Sequence, residues 1–190
     1  MAFTLLVVVV AIQRLLELRL SRCHERMLLA RGGREHAPEQ MPWMRALHAS
    51  WLLAMVAEVW LLERPFSPEL AAAAFAIFAV GQMLRIVAMR TLGERWTVKI
   101  FTLPGAAPVS TGIFRWLRHP NYLGVVLEMV ALPLVHGAFL TAGAFSALNG
   151  LLLFFRIRAE EASLANEGGY GTLARTPRLI PRAFASRNER

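Results

Sequence analysis

Cysteine is almost missing from this 190-residue chain. Cys23 stands alone, which excludes an intrachain disulfide and a thiolate metal cluster. Charge is scarce as well: charged residues make up 18%, hydrophobic residues 56%, and the mean hydropathy is +0.44. A soluble globular domain carries about 25% charged residues, so a soluble enzyme and a disordered tail are both excluded. The chain reads as an all-α integral membrane protein. It also lacks lysine, Lys99 being the single one, although Lys and Arg together number 21 against 13 Asp and Glu, a net charge of +8. A basic balance of this kind invites a nucleic-acid reading. The arginines form no stripe with interleaved aromatics, however; they flank apolar runs, as the cytosolic loops of membrane proteins do. No nucleic-acid partner is expected. Neither an internal repeat nor a low-complexity linker is visible, so residues 1–190 form one membrane domain, with three spans in residues 1–89 and the catalytic half in residues 90–181. The dominance of arginine over lysine hints at a GC-rich coding sequence and a bacterial inner (cytoplasmic) membrane.

Five spans are expected. The first covers residues 2–20, and with no basic n-region ahead of it reads as a retained span rather than a cleaved signal peptide. The second and third cover residues 43–62 and 70–89. Residues 121–155 are almost wholly apolar and would make about 50 Å of helix, far more than a ~30 Å hydrocarbon core needs. That stretch must fold back, and His136-Gly137, just after Pro133, is the natural turn. The last two spans thus form a tight helical hairpin. Arginines cluster after the first span, between the third and fourth, and after the fifth, which places the N-terminus outside and the C-terminus in the cytosol. Residues 91–116 read as an interfacial loop and residues 172–190 as a polar tail.

Ionisable groups inside spans cost roughly 2.5–3.5 kcal/mol each at mid-depth, so each needs a reason. Arg14 and Glu17 share a helical face and can pair locally. Glu58 lies near the outer end of its span and Arg85 near the inner end of the next, so those two do not meet; Glu58 is expected to be solvated or hydrogen-bonded to a neighbouring helix. Glu128 is the better partner for Arg85, with a ligand-facing role as the alternative. His24, His36, His48 and His136 show no metal-ligand spacing, and no metal is expected.

Two polar clusters bracket the hairpin: Arg118-His119-Pro120-Asn121-Tyr122 before its first arm and Arg156-Ile157-Arg158-Ala159-Glu160-Glu161 after its second. A helical hairpin returns the chain to its starting depth, so the clusters should meet in space and form a pocket at the cytosolic face. Carboxylates there suit ribose hydroxyls or a cationic cofactor, aromatic rings offer a face to adenine or a cation, and arginine suits an anionic oxygen. The plainer alternative is a basic juxtamembrane loop, with Pro at a helix start, beside a solvated helix end.

These residues resemble the isoprenylcysteine carboxyl methyltransferase family of integral membrane methyltransferases. The likeness covers roughly residues 92–181 and rests on the His-Pro-x-Tyr element together with the Arg-x-x-x-Glu spacing of Arg156 and Glu160. The resemblance implies S-adenosylmethionine as cofactor, with His119, Pro120, Asn121, Tyr122 and Glu160 as its contacts. More loosely it implies Ala106, Ala107, Pro108 and Val109 in the loop ahead, with Lys99 upstream. Phe114, a cofactor contact on the same pattern, falls where the family often has tyrosine, so a hydroxyl contact there is lost. Arg156 carries over as the substrate-side arginine, orienting an acceptor; Glu128, from its place in the span and not from the resemblance, is the further candidate substrate contact. The run Gly168-Gly169-Tyr170 departs from the family's downstream Glu-x-Tyr pattern. The implied reaction is methyl transfer to a carboxylate or hydroxyl oxygen of a lipid-borne substrate, such as an isoprenylcysteine or an alkyl phenol or pyrone. A carboxylate needs no base; for a hydroxyl, Glu161 or His119 are the candidate bases. Partners are then a lipid-like substrate and the membrane lipids. Two rival readings stand beside this one: an NADPH-dependent sterol-type membrane reductase, which shares the His-Pro-Asn-Tyr region but typically has Glu where Val125 follows Gly124, and a non-enzymatic membrane scaffold.

Overall fold

The computed structural model describes residues 1–166 and 176–179. Five helices dominate it: α1 (Ala2–Ala30), α2 (Gln40–Leu61), α3 (Pro68–Leu92), α4 (Pro120–Leu134) and α5 (Phe139–Asn166). They alternate in direction. At one end Phe3, which opens α1, and Phe66, between α2 and α3, both set a ring edge-on to His136 in the α4–α5 turn, with centroids 5.5 and 5.4 Å away. At the other end the α1–α2 and α3–α4 connections come together. There the all-α expectation needs correcting: β1 (Arg34–His36) and β2 (Ile100–Thr102) pair antiparallel, with Glu35 opposite Phe101. Three-residue strands are too short to show an alternation in the sequence, and it is the pairing of two distant loops that creates them.

Local chemistry explains the helix ends. Pro68 stands in the first turn of α3, whose N-cap Ser67 accepts a hydrogen bond from the Leu70 amide at 3.3 Å. Pro120 opens α4. The hairpin turns at His136-Gly137, as expected, with Gly137 at a φ of 67° that disfavours other residues. Glu58 is buried rather than solvated. Its carboxylate accepts from the Leu140 and Thr141 amides and the Thr141 hydroxyl at 3.1, 2.7 and 2.7 Å, satisfying orphan donors in the first turn of α5.

The interior follows helical spacing: Phe3, Val7 and Val10 on α1 meet Leu47, Trp51, Met55 and Val59 on α2, with Phe78, Met129 and Leu132 from α3 and α4. The outward faces are equally apolar. Phe75, Val80 and Met83 on α3 and Leu148, Leu151 and Phe154 on α5 are all exposed, as a surface meeting lipid requires. Among the described residues, α3 with the 3₁₀ turn that follows it (Pro68–Arg95) and α5 are long and apolar enough to cross a membrane. The apolar run of α1 is interrupted by Arg14, Glu17 and Arg19, and α4 has only 15 residues.

α3 and α4 cross at two glycines. A Cβ at Gly124 would lie 2.7 Å from the Gly81 carbonyl oxygen and 2.5 Å from Cγ of Arg85, and one at Gly81 would lie 2.9 Å from the Gly124 oxygen. Beside this crossing sits a buried ionic cluster. Arg85 donates to Glu128 at 2.9 Å and to Glu17 at 2.5 Å, and Arg14 donates to Glu17 at 2.7 Å and also bonds Glu128. The local Arg14–Glu17 pair and the Arg85–Glu128 pair are thus both present, joined into one network across α1, α3 and α4.

Candidate functional site

At the end of the bundle where the two strands pair, the helices enclose a cavity of about 560 Å³, within the 300–1,000 Å³ typical of small-molecule sites. Both polar clusters reach it. Because α4 and α5 are antiparallel, the start of α4 and the distal half of α5 lie side by side. Tyr122 donates its hydroxyl to Glu160 Oε2 at 2.5 Å, and Arg156 Nε donates to the Tyr122 oxygen at 3.0 Å. Arg156 also donates to the Val98 carbonyl at 2.5 Å, which ties the α3–α4 connection to α5. The guanidinium lies 5.8 Å from the Tyr122 ring centroid, and the His119 ring stacks on the same Tyr122 ring at 5.4 Å.

Of the expected site residues, Lys99, Pro108, Val109, Phe114, His119, Pro120, Asn121, Tyr122, Arg156 and Glu160 line this cavity together. Asn121 brings a buried side-chain oxygen with no hydrogen-bond partner among the described residues. Ala106 and Ala107 do not line it. Ala106 borders a separate recess of about 50 Å³, and the Ala107 carbonyl accepts from Arg95 at 2.9 Å. Glu161 points to another set of partners: Arg118 at 2.8 Å, Arg178 at 2.5 Å and His119 Nε2 at 3.2 Å. With the Arg118 and His119 amides bonded to the Pro177 and Arg178 carbonyls, this cluster fastens residues 176–179 to the start of α4. Glu128 stands behind Arg14 and Arg85, which themselves form part of the wall. Gly168, Gly169 and Tyr170 lie outside the described residues. Lys99 is turned between Glu35 at 2.9 Å and Glu25 at 3.3 Å. The Glu35 hydrogen bond, assisted by Glu25 and opposed by partial desolvation, holds its ammonium pKa above the ordinary value.

The N-terminal helices contribute more to this wall than their sequence signals. Arg14 and Glu17 from α1, and Arg45 and His48 from α2, line it together with the Tyr122–Glu160 pair. Their charges within apolar runs mark Arg14, Glu17 and Arg85 as in need of partners. His48 carries no such signal.

The architecture is that of a helical membrane protein with a polar-walled cavity at one end of its bundle, and the comparisons say which. Residues 73–166 match the model of the isoprenylcysteine carboxyl methyltransferase (ICMT) family. The chain is 35% identical over 162 residues to YpbQ, an uncharacterised protein of Bacillus subtilis, covering 85% of this chain and 96% of that one. It is 29% identical over 155 residues to an uncharacterised Haemophilus influenzae protein, covering 80% and 89%. The structure of the eukaryotic intramembrane Ras methyltransferase ICMT shares the fold, with a TM-score of 0.56 and 19% identity; 74% of this chain is covered, and it spans about half (52%) of that chain's length. This protein belongs to the isoprenylcysteine carboxyl methyltransferase family. It is accordingly an integral membrane protein of a methyltransferase family, which disfavours the reductase and scaffold readings.

Proposed function

We propose that this chain is an S-adenosylmethionine-dependent O-methyltransferase acting on a lipid-borne acceptor at the cytosolic face of a bacterial inner membrane, its five helices all crossing the bilayer as one domain. The observation that carries the reading is the meeting of Tyr122, Arg156 and Glu160 on one cavity wall. The residues present fit the cofactor. Glu160 offers an anion to a sulfonium, ammonium or ribose hydroxyl, the unpartnered Asn121 oxygen accepts a further donor, and Phe114, Pro108 and Val109 give an apolar bed. When bound, the cofactor supplies a methyl group already activated on sulfonium.

The protein's own work is then to orient, to dry and to neutralise. Orientation alone contributes about 7–11 kcal/mol in favourable cases. Arg156, fixed through Tyr122 and the Val98 carbonyl, presents a rigid fork to the acceptor oxygen. A cytosolic cofactor and a bilayer-borne acceptor must meet where water and lipid meet, and a cavity at the end of the bundle provides that place. Lys99 and His119 stand on the cofactor side and Arg156 on the acceptor side, while Ala106, Ala107 and Glu128 lie off the cavity wall and make no direct contact in this reading.

The test is equilibrium binding of labelled S-adenosylmethionine to the detergent-purified protein, paired with mass spectrometry of membrane lipids for a gain of one CH₂. Glu160→Ala should abolish binding, and Arg156→Ala should abolish transfer with binding largely kept. Unimpaired methylation by both variants would overturn the reading.

A further inference from the structure

A hydroxyl acceptor must lose a proton as it is methylated, and the two residues that motif position offers for that task are occupied. Glu161 is held by Arg118 and Arg178 and is absent from the cavity wall; His119 directs Nε2 to Glu161 and lies flat on Tyr122. The other ionisable groups on the wall are engaged as well. Glu17 bonds Arg14, Arg85 and Gln13, Lys99 lies between two carboxylates, and Glu160 accepts from Tyr122. Besides His119, whose Nδ1 has only Glu160 Oε2 at 3.9 Å, one titratable side chain on the wall keeps a ring nitrogen with no hydrogen bond among the described residues: His48.

Its tautomer is set by geometry. Nδ1 lies 2.8 Å from the Met44 carbonyl oxygen, one helical turn back, and an atom facing a carbonyl must carry the hydrogen. In the neutral ring Nε2 therefore holds the lone pair. The ring is braced edge-on by Trp51, itself buried, at a centroid distance of 6.4 Å. His48 stands eight residues into α2 and Glu128 eight into α4, each about 12 Å from its helix's start on the cavity side. The charged groups facing it from the neighbouring helices are Arg14 of α1, Glu128 of α4 and Arg156 of α5, with Arg45 on its own helix. The base and the orienting guanidinium of Arg156 thus serve one chamber.

Resting on the methyltransferase reading above, we infer that His48 is the general base of this site, and that the acceptor it serves is a lipid carrying a weakly acidic hydroxyl, a phenol or an enol, rather than a carboxylate. The acceptor O–H bond breaks with its proton passing to His48 Nε2, while the oxygen forms the new bond to the methyl carbon. The carbon–sulfur bond breaks with its electron pair left on sulfur, so the sulfonium charge disappears as the imidazolium charge appears. Net charge within the cavity is unchanged. A carboxylate acceptor brings no proton and would leave this ring without a task.

Acceptor acidity separates this role from a structural one. The detergent-purified protein and His48→Gln are assayed for methyl transfer from S-adenosylmethionine to three probes: a long-chain alkylphenol, whose hydroxyl ordinarily ionises at about 10, its ring-nitrated counterpart, already ionised near neutrality, and a farnesylcysteine carboxylate. Cofactor binding is measured alongside. His48→Gln should lose about 10²–10⁴-fold on the alkylphenol and far less on the nitrated phenol, with binding unchanged. An equal loss on both phenols, or no loss on either, refutes the base. Transfer by the unaltered protein to the carboxylate but to neither phenol refutes the acceptor class and leaves the methyltransferase reading standing. Failure of the unaltered protein to bind S-adenosylmethionine overturns both.

Discussion

Replacing Glu128 by Leu tests whether the ionic cluster holds three helices together. The four charges of Arg14, Arg85, Glu17 and Glu128 sum to zero, and Glu128 is only 2% exposed. Removing it leaves two guanidinium groups sharing Glu17, with one positive charge uncompensated. Breaking a buried pair from one side costs about 3–5 kcal/mol. At about 2–4 °C per kcal/mol for a chain of this size, Glu128→Leu should lower the unfolding temperature by about 6–20 °C. The double variant Arg85→Met with Glu128→Leu restores neutrality and leaves Arg14 paired to Glu17 at 2.7 Å; swapping a buried pair for apolar residues is often neutral or stabilising. It should recover most of the loss, so the two changes are strongly non-additive, with a coupling at or above the top of the ~0.5–3 kcal/mol range found between contacting residues. The assay is thermal unfolding in one detergent, followed by tryptophan fluorescence, for the four members of the cycle. A single variant that melts with the parent, or a double variant as weak as the sum of its parts, would refute the reasoning.

Three other outcomes follow from the same geometry. Gly124→Ala forces a methyl against the Gly81 carbonyl and the Arg85 stem; such overpacking costs about 1–3 kcal/mol, and a melting temperature equal to the parent's would show that the crossing yields. Glu58→Ala strips the acceptor from two amides and a hydroxyl at the start of α5 and should cost about 1–3 kcal/mol, with faster amide exchange confined to that turn. Lys99 has its folded-state pKa raised by Glu35 and Glu25, so its stabilising contribution is complete below the unfolded value of about 10.5 and fades as pH climbs through the folded one. The stability difference between parent and Lys99→Met should therefore be flat from neutral to mildly alkaline pH and shrink above about 10.5; a difference that grows with pH contradicts the assignment.

Helices and hairpin were legible because apolar runs of known length meet a bilayer of known thickness, and because His136-Gly137, just after Pro133, is the natural turn near the middle of the long run after Asn121. The meeting of Tyr122 with Glu160 followed from the antiparallel return alone. What escaped the sequence depends on separation along the chain. Arg14 and Glu128 are far apart, and no local pattern says which buried charge finds which. The β1–β2 pairing is too short for any periodicity. Glu161 adjoins Glu160, but successive residues on a helix point about 100° apart, so one faces the cavity and the other faces Arg118 and Arg178. His48 gave no sign because its significance comes from what surrounds it, namely a carbonyl one turn back and helices supplied by other parts of the chain.

The glycine at 124 has no side chain and no place on the cavity wall, yet it bears on one of the wall's charges. Its missing side chain is the slot through which the Arg85 stem runs to reach Glu17 and Glu128. Bulk at that point would collide with the Arg85 stem, so a residue that never touches the chamber sets where one of its wall's guanidinium groups stands.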